Sequence, residues 1–211
     1  MIKEFCAENY TELPKAIKAG AARIELCDNL TVGGTTPSYA VIEESVKYAH
    51  EYDATIMTMI RPRGGNFVYH DIEIKIMETD ILKAIEAGSD GVVFGCLTKD
   101  NELDYEAMET LLIAAEGVQI VFHMAFDAIS FDKQLEALDW LAAHGVTRIL
   151  THGGPASKSI QENIAHLKEL INYANGRIEI LIGGGVNAEN YQDIANETGA
   201  KQVHGTKIVK F

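Results

Sequence analysis

The segment Met59-Ile-Arg-Pro-Arg-Gly-Gly-Asn-Phe-Val-Tyr69 sets two guanidinium groups, Arg61 and Arg63, in one glycine-rich loop. The chain has only five arginines, and the other three, Arg23, Arg148 and Arg177, stand where apolar runs begin rather than end. A guanidinium is a permanent planar cation whose paired N–H donors match a carboxylate or phosphate. Two of them beside flexible glycines predict a binding site for a small anion.

Other reactive groups fall at the ends of short β-branched runs. Glu8 follows the first run, Glu25 and Cys27 close the second, and His123 with Asp127 follows the fifth. Thr151 with His152, Gly183–Gly185 and His204 complete the set. Side chains alternate along a strand, so Glu25 shares a face with Cys27, and Cys6 with Glu8. A buried carboxylate needs a partner, and Arg61 is the cation expected to meet Glu25. His123 with Asp127 just beyond it suits a proton-transfer imidazole oriented by a carboxylate. In an enzyme, Glu8, Glu25, His123 and Asp127 would move protons. Arg61, Arg63, Thr151, His152, Gly184, Gly185 and His204 would hold the anion, the glycines through backbone N–H groups. The plain alternative is a structural ion-pair network.

The sulfurs admit different chemistry. Cys6, Cys27, Cys96, Met57, Met59 and Met124 include soft donors suited to Cu(I). Cys6 and Cys27 have inward parity on neighbouring strands, but spacing alone leaves open whether they stand at one height.

Positioning these groups requires a scaffold, and the pattern supplies one. Eight strand-like runs (2–7, 23–27, 55–60, 91–96, 119–124, 148–151, 179–182 and 202–209) alternate with seven segments of helical periodicity. A glycine precedes most strands, as expected of helix stops. No Gly-x-Gly-x-x-Gly follows a strand, and no linker divides the chain. Eight near-equal units predict one (β/α)₈ TIM barrel over residues 1–211 that lacks its eighth helix. The carboxyl ends of barrel strands are where such folds do chemistry, and the groups above fall there. Without the last helix, the apolar flanks of strands 1 and 8 should lie bare. A second copy of the chain is the expected cover, making a homo-oligomer.

Composition narrows the partners. A net charge of −13 disfavours nucleic acid and anionic membranes, which basic surfaces bind. Three cysteines without a Cys-x-x-Cys pair make no disulfide framework, and a cytoplasmic location is expected.

The chain also resembles the CutC family. The matching segments are Gly20-Ala-Ala-Arg-Ile-Glu-Leu-Cys27, Gly33-Gly-Thr-Thr-Pro-Ser38, Met59 through Tyr69, Gly91-Val-Val-Phe-Gly95, Phe122-His-Met-Ala-Phe-Asp127 and Gly183-Gly-Gly-Val186. The resemblance implies a cytoplasmic barrel concerned with copper tolerance, with copper held by cysteines, first Cys27 and then Cys6. It implies no particular enzymatic activity. Met124 replaces the family's usual arginine and His152 its usual serine, and the last helix of longer members is missing. The residues and the resemblance support two readings: a Cu(I)-binding protein, and a barrel enzyme or sensor for a small anionic metabolite, phosphorylated ones included.

Overall fold

Strand alternation becomes an inside and an outside once the sheet closes. In the computed structural model, which describes all of residues 1–211, eight parallel strands close a barrel in sequential order. They are β1 (Ile2–Glu8), β2 (Arg23–Cys27), β3 (Thr55–Met59), β4 (Gly91–Phe94), β5 (Gln119–Phe122), β6 (Arg148–Thr151), β7 (Glu179–Ile182) and β8 (Gln202–Gly205). Seven helices cross between them: α1 (Leu13–Lys18), α2 (Tyr39–Glu51), α3 (Asp71–Glu86), α4 (Tyr105–Ala114), α5 (Phe131–Ala143), α6 (Ile160–Ala174) and α7 (Tyr191–Thr198). No helix is long and apolar enough to cross a membrane.

Local chemistry sets the helix ends. Ser38 and Asp104 accept the N–H groups of Val41 and Ala107 to open α2 and α4, and Glu162 takes the Ser159 N–H at the head of α6. Gly199 ends α7 with φ +80°, a conformation that costs glycine nothing.

Two apolar layers follow from strand parity. Ile24, Leu26, Ile56 and Phe94 face outward into the large core between barrel and helices, where Cys96 also lies. Cys6, Cys27, Met57, Met59, Val93, Val121, Leu150 and Leu181 form a separate cluster inside the barrel. Half of that inner cluster is sulfur-bearing, so the barrel interior is lined by soft, polarisable atoms.

The end of the chain departs from expectation. β8 stops at Gly205 rather than continuing to Val209. The remaining residues turn away, and Ile208 and Val209 are buried in the outer core. The Phe211 ring meets Phe5 edge-on at 5.8 Å. Phe5, Ala7 and Val203, the outward residues of β1 and β8, are therefore buried within the single chain. The bare flank expected to recruit a second copy is covered by the chain's own C-terminal residues, which stand in for the eighth helix.

Candidate functional site

Register along β1, β2 and β8 builds the floor of the site. Cys6 pairs with Glu25, and Glu4 pairs with Arg23 on one side and His204 on the other. Inward parity then stacks five polar side chains within the barrel. Arg23 donates to one Glu4 oxygen, and His204 Nδ1 lies 2.8 Å from the other. His204 Nε2 is 3.6 Å from Glu25 Oε2. That same carboxylate oxygen is 3.2 Å from Cys6 Sγ and 3.6 Å from Cys27 Sγ. One donor atom from each of Cys6, Glu25 and Cys27 lies within 4.8 Å of the others, and the same holds for Glu4, Glu25 and His204.

The charges in this row interlock. Burial alone would raise Glu4, but His204 and Arg23 outweigh it and hold its carboxyl at about 2. Burial opposes the His204 cation, yet Glu25, Cys6 and Glu4 together keep its pKa well above the ordinary value. Glu25 is pushed well up, by burial first, with Cys6 and Glu4 adding to it against the pull of His204. The neighbouring thiols shift one another in opposite directions: Cys6 falls well below the usual thiol range while Cys27, also buried, rises above it.

Above this floor opens a cavity of about 330 Å³, lined by Cys6, Glu25 and His204 below and by Arg61, Phe67 and His123 around the mouth. The Arg61 guanidinium donates to Val32 O (2.8 Å), Gly34 O (2.9 Å) and Gly65 O (2.8 Å), so it stitches the loop after β2 to the loop after β3. No carboxylate pairs with it. His123 accepts the Ala125 N–H at Nδ1 (3.3 Å), which places its own hydrogen on Nε2. Its ring packs 4.8 Å from Phe67. It also crosses Gly95, where a Cβ would come within 2.8 Å of the imidazole. Burial, helped by Arg61, lowers the His123 pKa to about 3, so the ring is neutral at physiological pH.

Several expected partners sit elsewhere. Glu25 meets His204, not Arg61. Arg63 is turned away from the cavity, with Nε 2.5 Å from Glu73 Oε1 and its cation over Tyr69. Asp127 does not orient His123. It accepts from Thr151 Oγ1 (2.5 Å), His152 N (2.9 Å) and Gly153 N (3.2 Å), which latches the turn after β5 to the loop after β6 and occupies Thr151. His152 places Nδ1 2.7 Å from Gly184 O and Nε2 3.0 Å from Lys158 O, bridging loops outside the cavity. Gly184 has φ +73°, and a Cβ there would stand 2.7 Å from the His152 ring. The glycine run is therefore shaped by His152, and neither Gly184 nor Gly185 lines the cavity. Glu8 is exposed and accepts the Leu30 N–H at 2.6 Å, clear of the floor. Cys96 belongs to the outer core, apart from the other thiols.

Glu4 and Arg23 are the residues that strand-end reasoning overlooks. Carrying the same parity two residues back, from Cys6 to Glu4 and from Glu25 to Arg23, reaches both.

Comparison with known proteins agrees with this architecture. The family model described as "CutC family" matches residues 1–209. A CutC family protein of Enterococcus faecalis is 62% identical over 209 residues, covering 99% of this chain and all of the relative. The copper homeostasis protein cutC homolog of Mus musculus is 38% identical over 203 residues, 96% of this chain and 72% of the relative. The crystal structure of a CutC protein from Streptococcus agalactiae superposes with a TM-score of 0.97 at 57% identity, covering 99% of this chain and 100% of the other.

Proposed function

The chain belongs to the CutC family, and we propose that it handles copper in the cytoplasm, holding Cu(I) between the sulfurs of Cys6 and Cys27. The observation that carries this reading is the placement of both thiols and the Glu25 carboxyl within 4.8 Å of one another. Two metal–thiolate bonds of ~2.3 Å each, the zinc value, reach about 4.6 Å end to end, close to that limit, and two soft thiolates suit Cu(I) better than harder cations. Three free thiols fit a reducing compartment.

The nearby cations, His204 and Arg61, at first oppose a metal site. Counting charge removes the objection. Two thiolates and one Cu⁺ make a complex of net charge −1, which a protonated His204 and a guanidinium stabilise. Cys6 lines the cavity and Cys27 lies behind it, so the ion reaches Cys6 first. Loading releases the protons the two sulfurs carry, because the thiolate is the ligand.

An anaerobic titration against a chromophoric Cu(I) chelator tests the reading. The native chain should take up a single ion, Cys6→Ser and Cys27→Ser should each weaken binding by at least the ~10–100-fold that losing even an outer-shell partner costs, and the double variant should bind none. Undiminished uptake by the double variant would overturn the assignment.

A further inference from the structure

We propose that the mouth of the cavity binds a small organic carboxylate bearing a hydroxyl or carbonyl beside its carboxyl group, held by Arg61 and His123 and oriented by Glu25. Across the chain only eight buried side-chain nitrogen and oxygen atoms lack a hydrogen-bond partner, and three of them, Arg61 Nε, His123 Nε2 and Glu25 Oε1, belong to residues lining this one cavity. Buried polar atoms are normally paired, and three orphans around one cavity mark the places where a ligand supplies the partner.

The chemistry of each atom describes that ligand. Arg61 is 4% exposed and carries a full charge with no carboxylate beside it. Its N–H groups already in use bind neutral carbonyls, so the charge itself calls for an anion. His123 offers an N–H because the Ala125 amide occupies its other nitrogen. The two donors flank one ring, with the guanidinium carbon 5.1 Å and the imidazole 4.8 Å from the centre of Phe67. They share the cavity lining with Glu25, whose unpaired Oε1 accepts from a ligand hydroxyl when ionised and donates to a ligand hydroxyl or carbonyl when protonated.

Size and lining exclude larger and more highly charged candidates. The volume of about 330 Å³ lies at the small end for ligand pockets, ~300–1,000 Å³. Leu30, Met59, Met124 and Leu150 supply apolar wall, and of the loop glycines Gly33 lines the cavity while Gly183–Gly185 do not. Met124 matters here, since it leaves Arg61 as the only guanidinium on the cavity wall. His204 is already paired with Glu4 and Glu25, and two donors with one unpaired charge fit a carboxylate better than a phosphate dianion.

This site shares walls with the proposed copper site but does not depend on it, because Arg61 and His123 are no part of the thiolate pair. Calorimetric titration of the copper-free full chain with lactate, pyruvate and malate, each beside neutral lactamide and inorganic phosphate, tests it. At least one of the acids should bind saturably and at least tenfold more tightly than lactamide or phosphate. That binding should weaken tenfold or more in Arg61→Gln and in His123→Phe, and it should survive in the Cys6→Ser/Cys27→Ser double variant. Arg61 also ties two loops together, so His123→Phe decides the matter if Arg61→Gln fails to fold. No saturable binding of any of the three acids, equal binding of lactamide, preference for phosphate, or indifference to His123→Phe would each overturn the proposal. Loss of copper uptake alone leaves this site standing, and loss of carboxylate binding alone leaves the thiolate site standing.

Discussion

Glu4→Leu should cost about 3–5 kcal/mol of unfolding free energy, the range for removing one partner from a buried ion pair. Glu4 is 1% exposed and holds two cations at once, Arg23 through one oxygen and His204 through the other. Its loss strands both inside the barrel, and neither has an alternative anion closer than Glu25, already 3.6 Å from His204. Arg23→Met should cost less, because Glu4 then keeps His204. The double variant Glu4→Leu/Arg23→Met should be more stable than the sum of the two losses implies, since the charge and its counter-charge leave together. Urea unfolding of the four chains at neutral pH measures the cycle, and strictly additive losses would show that the pair is not coupled. The pH sign follows from the Glu4 carboxyl, which is held at about 2 against an ordinary 4.5. Its contribution is present above 4.5 and fades as pH falls toward 2.

This ion-pair row also shows what the sequence could and could not display. Period-two alternation is a property of every strand, so the shared inward parity of Cys6, Glu25 and Cys27 is legible once eight strands are recognised. The height of two sulfurs on neighbouring strands depends on register, which β1 and β2 supply by pairing Cys6 with Glu25. Arg61 and Arg63 are indistinguishable by type and spacing. What separates them is Glu73, whose carboxylate captures Arg63 from the first turn of α3 while Arg61 folds back onto loop carbonyls. Asp127 follows His123 closely in sequence, but the 3₁₀ turn at Met124–Ala128 carries its carboxylate toward the loop after β6. The run from Gln202 to Val209 reads as one strand because Val203, Thr206, Ile208 and Val209 are β-branched. The ladder ends at Gly205, where a Cβ would lie 2.5 Å from Val186 O, and the apolar residues beyond serve as cover instead. Long-range pairing and competition between equally placed partners are invisible to local periodicity, and the misplaced residues are of that kind.

Mild acid should destabilise the native chain through His123. Its pKa is about 3 in the fold and 6.5 when unperturbed, because burial and Arg61 both disfavour the imidazolium. Below 6.5 the unfolded chain takes up a proton that the folded chain refuses. The stabilisation from keeping His123 neutral is therefore complete above 6.5 and is lost as pH falls toward 3. Over the first two units of that fall the loss is about 3 kcal/mol, at ~1.4 kcal/mol per unit. Other groups act in the same range. Glu25 and Asp127, both held above their ordinary values, favour the folded state as pH falls there. His204, whose pKa is raised, contributes fully below 6.5 and adds no slope in that range. The observable is therefore the difference between the native chain and His123→Phe, measured by urea unfolding at steps from pH 7 to 4.5. The native chain should lose about 3 kcal/mol more than the variant across that range, and a constant difference would show that His123 is not buried in its neutral form. The same titration bears on recognition. A ring that stays neutral keeps its Nε2 hydrogen across the whole range, so carboxylate binding at Arg61 and His123 should change little between pH 7.5 and 5.5, where a site relying on an imidazolium would gain affinity steeply.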